Sequence, residues 1–233
     1  APGETLPGLL ELGGFPEPFL GGSSRQARRW RLGRREQVLQ QDLRDLTMVR
    51  NVSLVEQLVD MLAERVGNPL SINSLREDLL VDHKTVANWI DVLERLQVIF
   101  RVPPHAGSLA RTLNKEGKVY FWDWSEAPEG GARFENCVAS HLLKLCHWFQ
   151  DVEGRRVELR YVRDREKREV DFVLLRDRKP WVLIEAKSGA APLHPALGYF
   201  QRRFAAPFAF QVTASGEAQR DIVPAHRLFA GLP

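Results

Sequence analysis

The chain is poor in cysteine, with two in 233 residues, and it has no long apolar run. Cys137 and Cys146 lie in one helical pattern, about 13 Å apart at 1.5 Å rise per residue, too far to pair with each other. There is no CxxC and no Cys/His spacing of the zinc type, so a structural zinc site is not expected. No stretch approaches the roughly 18 consecutive apolar residues of a membrane span. A basic start followed by an apolar run is also missing, which makes the cytoplasm the expected compartment and a membrane an unexpected partner. No serine stands in a GxSxG setting, so a nucleophilic triad has no support. The histidines His83, His105, His141, His147, His194 and His226 show no metal-ligand spacing, and each is read as a surface or core residue. The chain does not begin with Met and is expected to be a fragment of a longer protein.

What is present is an ordinary globular composition: 44% apolar and 27% charged residues, enough for one large domain or two small ones. The net charge is +3, and most of the 33 basic residues are Arg. Charge alone therefore gives only weak support to a nucleic-acid partner.

The Gly/Pro-rich opening reads as an irregular lead-in, with a short helix near Leu9 to Leu12. Ser23 then caps a helix whose polar face carries Arg25, Arg28, Arg29, Arg31, Arg34 and Arg35, followed by a second helical pattern through Val38, Leu39, Leu43 and Leu46. The basic face reads either as solvated or as a phosphate contact, with Arg28 and Arg29 the candidates. Residues 1–50 form this lead-in. From Leu54 the apolar spacing predicts a helix ended by Gly67-Asn68-Pro69. A shorter helix near Asn73 to Leu80 follows, then a helix carrying Val86, Ile90, Leu93 and Leu96 inward. The extended pieces Val98 to Val102 and Lys118 to Trp122 complete a winged helix-turn-helix over residues 51–127. Its would-be recognition helix is net acidic: Asp82, Asp91 and Glu94 outnumber Lys84 and Arg95. That charge favours a packing module over a DNA reader and leaves Lys84 as a phosphate-contact candidate. Trp122 and Trp124 are expected to close a small core.

Residues 128–233 carry the chemistry. A helix from Ala132 to Phe149 precedes three extended segments, Val157 to Val162, Val170 to Leu175 and Trp181 to Lys187. A helix around Ala196 to Phe204 and a strand around Phe208 to Val212 complete the sheet. Asp171, Glu185 and Lys187 are polar residues in otherwise buried strands. A hairpin centred on Arg178 places Leu175 opposite Trp181 and Asp171 opposite Glu185, and residues i and i+2 share a face, so Lys187 joins them. Two opposed carboxylates repel unless a cation lies between them, and with a backbone carbonyl they suit Mg²⁺ or Mn²⁺. A neighbouring ammonium can serve a metal-bound water and offset charge developing on a phosphate. The same spacing also fits a plain ion pair from Lys187 to Asp171 or Glu185. Glu169 shares a strand face with Asp171 and reads as a substitute ligand or, at the strand's start, as a solvated residue, the second being the expectation.

Asp171, thirteen intervening residues and then Glu185-Ala186-Lys187 resemble the core of the PD-(D/E)XK nuclease superfamily. The resemblance implies a restriction-endonuclease-like α/β domain with a mixed sheet. It implies Asp171, Glu185 and the Ala186 carbonyl as metal ligands and Lys187 as a catalytic group. It adds Glu135, in Arg133-Phe134-Glu135-Asn136, as a supporting acid, and Tyr199 or Gln201 as a helix residue reaching nucleic acid. The whole chain is similar to the C-terminal region of a group of bacterial and archaeal AAA+ type ATPases. That likeness rests on Gly13-Gly14-Phe15-Pro16-Glu17, Arg44-Asp45-Leu46, Thr85-Val86, Lys118-Val119-Tyr120-Phe121 with Asp123, Phe134-Glu135-Asn136, Glu169-Val170-Asp171-Phe172 and Ile184-Glu185-Ala186-Lys187-Ser188. It implies a preceding ATPase domain as partner. No GxxxxGK[ST] stretch is present, so this chain alone is not expected to hydrolyse ATP. The first expectation is a divalent-metal-dependent nuclease. The alternative is a non-catalytic DNA- or protein-binding regulatory module.

Overall fold

The computed structural model describes residues 2–39, 51–105 and 116–232. The opening is helical where Gly and Pro suggested an irregular lead-in: α1 spans Pro2–Leu12 and α2 Pro16–Gly21. Pro16 stands at the start of α2, where an amide has no intrahelical partner, so it begins a helix instead of breaking one. Helix α3, Ser24–Gln37, is capped by Ser23, whose hydroxyl accepts from the Gln26 amide. Its basic face is divided. Arg31 donates to Ser125 Oγ, Arg35 pairs with Asp60, and Arg34 lies over the Phe15 ring. Arg25, Arg28 and Arg29 remain exposed. Of the second helical pattern, Val38 and Leu39 are buried, while Leu43 and Leu46 lie outside the described residues.

The next helices follow their apolar spacing. Helix α4, Val52–Ala63, buries Val55, Leu58, Val59 and Leu62; α5, Ile72–Leu79, buries Leu75 and Leu79; α6, His83–Arg95, buries Val86, Ile90 and Leu93. Strands β1, Ile99–Val102, and β2, Lys118–Phe121, then pair antiparallel, completing the three-helix and two-strand arrangement. The acidic side chains of α6 are occupied internally, since Arg101 of β1 pairs with both Asp91 and Glu94. All four residues of β2 are buried.

A short 3-10 turn at Trp124–Glu126 leads to α7, Gly131–Asp151. Strands β3, Val157–Arg163, β4, Glu169–Arg176, and β5, Lys179–Lys187, run antiparallel. Helix α8, Pro195–Phe204, then crosses to β6, Phe208–Thr213, which lies parallel to β5 and is followed by β7, Ile222–Pro224. The result is a mixed five-stranded sheet in the order β3-β4-β5-β6-β7, an α/β architecture. One apolar cluster joins Phe172, Leu174 and Ile184 to α7 and the first half; a second joins Val173, Leu175 and Leu183 to Leu197 and Phe200 of α8. A final helix, α9, Ala225–Ala230, packs against α1. Among the described residues no helix is long and apolar enough to cross a membrane.

The β4–β5 register departs from simple arithmetic at the turn. Leu175 pairs with Pro180, not Trp181, and an irregularity between Leu174 and Leu175 restores Leu174↔Val182 and Phe172↔Ile184. Trp181 is the extra residue of a bulge, which leaves the far end of the hairpin in the expected phase.

Candidate active site at the junction of the two halves

Beyond Phe172↔Ile184 the β4–β5 ladder passes from backbone to side chains. The Asp171 amide donates to Glu185 Oε2 at 3.3 Å, and the Ala186 amide donates to Asp171 Oδ2 at 3.1 Å. The two carboxylates are therefore cross-strand neighbours, as the hairpin arithmetic requires. Ala186 meets Asp171 through its N–H. Lys187, two residues after Glu185 on the same strand face, donates to Glu185 Oε1 at 2.7 Å. Asp171, Glu185, Ala186 and Lys187 thus come together, with the carboxylates buried and the ammonium half-exposed.

A second lysine, which sequence reasoning did not single out, completes the cluster. Lys118 of β2 is 1% exposed, and its Nζ lies 2.6 Å from Glu169 Oε1, 3.1 Å from Asp171 Oδ1 and 3.3 Å from Glu135 Oε1. Burying an ammonium is costly without close anionic partners, and three of them compensate it here. Glu169, expected in solvent, is instead half-buried and drawn into this network by the charge of the buried Lys118. Glu135 is brought to the cluster by α7, and its Oε1 also accepts the Tyr120 hydroxyl at 2.7 Å. The next residue, Asn136, clips the same strand: its Oδ1 accepts from the Phe121 amide at 2.8 Å and its Nδ2 donates to the Phe121 carbonyl at 2.7 Å.

The room for Glu135 comes from Gly67. Its φ is +77°, and a Cβ there would stand 2.8 Å from Glu135 Oε1. Gly14 plays a similar part at the N-terminus, where a Cβ would collide with the Trp124 ring at 2.2 Å. Trp124 in turn is buried and donates to the Leu9 carbonyl, so it closes a core as expected.

The cluster holds more negative charge than its lysines cancel. Burial, and then the charge of Asp171, push the Glu135 carboxyl up to about 7. Burial and Asp171 likewise hold Glu185 above the usual carboxylate range, against the opposing pull of Lys187. Burial acts to lower Lys187, but its hydrogen bond and charge interaction with Glu185 outweigh that and raise it. Burial also acts to lower Lys118, and the carboxylates of Asp171, Glu135 and Glu169 more than reverse it. Both lysines therefore stay charged at neutral pH. His194, at the cap of α8, also belongs to this surroundings: its Nδ1 lies 3.8 Å from Glu185 Oε1 and is buried with no hydrogen-bond partner among the described residues. Histidine spacing in the sequence gave no sign of it, because the contact joins a loop to a strand.

Among the described residues no three His, Cys, Asp or Glu side chains are grouped as a preformed metal centre. Asp171 and Glu185 nevertheless present hard oxygen donors in a region of uncompensated negative charge, the donor chemistry that Mg²⁺ or Mn²⁺ requires. The nucleic-acid candidates lie elsewhere. Arg28, Arg29 and Lys84 are exposed on helices of the first half, and Gln201 is half-buried on α8. None of the four shares a hydrogen bond or ion pair with the cluster among the described residues. Tyr199 receives hydrogen bonds from Arg168 and Arg203.

Residues 3–126 match a domain of unknown function (DUF8612), and residues 130–224 match a second one (DUF4143). The second is commonly the C-terminal region of AAA-type ATPases. Neither a curated protein nor a solved structure matches the chain.

Proposed function

Because the chain belongs, through residues 3–126, to the DUF8612 family of domains of unknown function, its chemistry has to be argued from the site, and we propose a divalent-metal-dependent nuclease centre. The observation that carries the reading is the assembly of Asp171, Glu185 and Lys187 at the parted end of β4 and β5, with the charge of Asp171 acting on Glu185. Asp171 and Glu185, with the Ala186 carbonyl, hold the metal. Bound Mg²⁺ or Mn²⁺ supplies positive charge for the oxygen developing charge on a phosphodiester. Lys187 remains protonated, so it orients an attacking water or stabilises phosphate charge and does not act as the base. Glu135 keeps the site in place through Lys118 and Tyr120. The reading assigns the protein to the cytoplasm, with nucleic acid and an AAA+ type ATPase domain as partners.

A second reading is a non-catalytic regulatory module of such an ATPase, which binds DNA or protein. Lys118 favours it, since one internal cation already lies against Asp171. Titration calorimetry with Mg²⁺ and Mn²⁺ on the protein and on Asp171→Ala, beside cleavage assays on single-stranded, duplex and branched DNA, separates the two. Saturable metal binding lost in Asp171→Ala, with cleavage, supports the nuclease. No metal binding by the intact protein, nor by a variant in which the Lys118 charge beside Asp171 is removed, sinks it in favour of the regulatory module.

A further inference from the structure

Lys118 brings its charge to the cluster from the first half of the chain, and its position depends on elements outside the five-stranded sheet. Strand β2 is hydrogen-bonded to the segment that follows α4: the Gly67 amide donates to the Val119 carbonyl at 3.1 Å and the Leu70 amide to the Gly117 carbonyl at 2.9 Å. On its other side Asn136 clips Phe121. The helix-turn-helix and the wing thus place a positive charge 3.1 Å from Asp171 Oδ1, the carboxylate that the nuclease reading assigns to the metal.

An ammonium and a divalent cation at one carboxylate repel each other, and Lys118 has the advantage of two further carboxylates, Glu135 and Glu169. We propose that Lys118 is a built-in competitor of the divalent cation: β2 seated against α7 holds the site in a low-affinity state, and withdrawal of β2 releases Asp171 for metal. This rests on the nuclease reading. It makes the wing an autoinhibitory contact, with the position of the helix-turn-helix expressed as charge at the sheet. Lys187 does not share the role. Among the described residues it pairs with Glu185 alone, is half-exposed, and is carried by the same strand as its partner.

The test is Mn²⁺ titration calorimetry on the wild-type protein, Lys118→Met, Lys118→Gln, Glu169→Gln and Asp171→Ala, with folding of each checked by circular dichroism. Methionine keeps the length and apolar stem of lysine without its charge. Lys118→Met is expected to bind Mn²⁺ about tenfold or more tightly than wild type. Lys118→Gln, which also removes the charge and keeps a polar end for Glu169 and Glu135, is expected to shift affinity the same way and carries the test if Lys118→Met does not fold. Glu169→Gln removes a negative charge and leaves Lys118 on Asp171, and is expected to bind no more tightly than wild type. Binding by Lys118→Met with none by wild type supports the proposal in its strongest form. Equal or weaker binding in Lys118→Met and Lys118→Gln, with wild-type binding lost in Asp171→Ala, overturns the competitor role and leaves the metal reading standing. No binding in any protein overturns both.

Discussion

The Nζ of Lys118 lies 3.1 Å from Asp171 Oδ1 across 53 residues of sequence, joining the strand that ends the first half to the strand that carries the chemistry of the second. The site is therefore a property of both halves, and changes on either side of the junction are expected to be felt at the other.

Lys187 is the group whose loss separates metal binding from cleavage. In Lys187→Met the carboxylates remain, so Mn²⁺ affinity is expected to hold or rise, while cleavage falls about 100-fold or more because a fixed charge at the phosphate is gone. Calorimetry and a single-turnover cleavage assay check this. A parallel loss of metal affinity would show that Lys187 serves to hold Glu185 in place.

Stability is expected to depend on pH through Glu135. Its folded value of about 7 lies above the ordinary 4.5, so the folded state binds the proton more tightly than the unfolded one. The stabilisation is full below about pH 4.5 and is lost as pH rises through about 7, on the order of 1–3 kcal/mol across that window. Urea unfolding from pH 4.5 to 8, with Glu135→Gln alongside, measures it. The slope is expected to flatten in the variant, and an unchanged slope would assign it to another group.

Gly67→Ala is expected to cost about 2 kcal/mol: about 1 for the left-handed backbone and the rest for the approach to Glu135. In a Glu135→Ala background only the backbone share is expected to remain. A double-mutant cycle in urea reads the difference, and additivity of the two changes would mean that the close approach carries no energy.

Asn136→Ala removes both of its side-chain bonds to the Phe121 backbone and leaves the buried Phe121 N–H without its Asn136 acceptor, while the Phe121 C=O keeps only the long contact from Ser140 Oγ at 3.5 Å. The expected cost is about 2–3 kcal/mol. Hydrogen exchange should localise it to β2, and a uniform loss of protection across the protein would argue against a local clip.

The strands and Asp171, Glu185 and Lys187 were legible in the sequence because their signal is local. Two apolar runs joined by a short turn fix which residues face each other, and a polar residue in such a run stands out. The phase survived even though Trp181 bulges, since one displaced residue near the turn is absorbed before Phe172. Lys118 was not legible. In Lys-Val-Tyr-Phe it looks like the solvent end of a wing strand, and its three partners lie on α7 and β4, which no local period connects to it. Glu169 was misjudged for the same reason, because its exposure depends on a lysine arriving from the other half. The opening was misjudged because proline at a helix start is easily read as a break.

Buried β2 also bears on the order in which the chain is made. Lys118 leaves the ribosome 17 residues before Glu135 and 53 before Asp171, so the N-terminal half emerges with a strand that α7 does not yet cover and a lysine whose carboxylate partners are not yet made. Contacts so distant in sequence form late. The first half is expected to stay loosely packed until β4 has been translated, and a fragment ending at residue 126 should bind an apolar dye that the whole chain excludes. Synthesis thus passes through an interval in which β2 is paired but its buried face still waits for α7 and β4, and nascent chains stalled within it are the ones most exposed to aggregation.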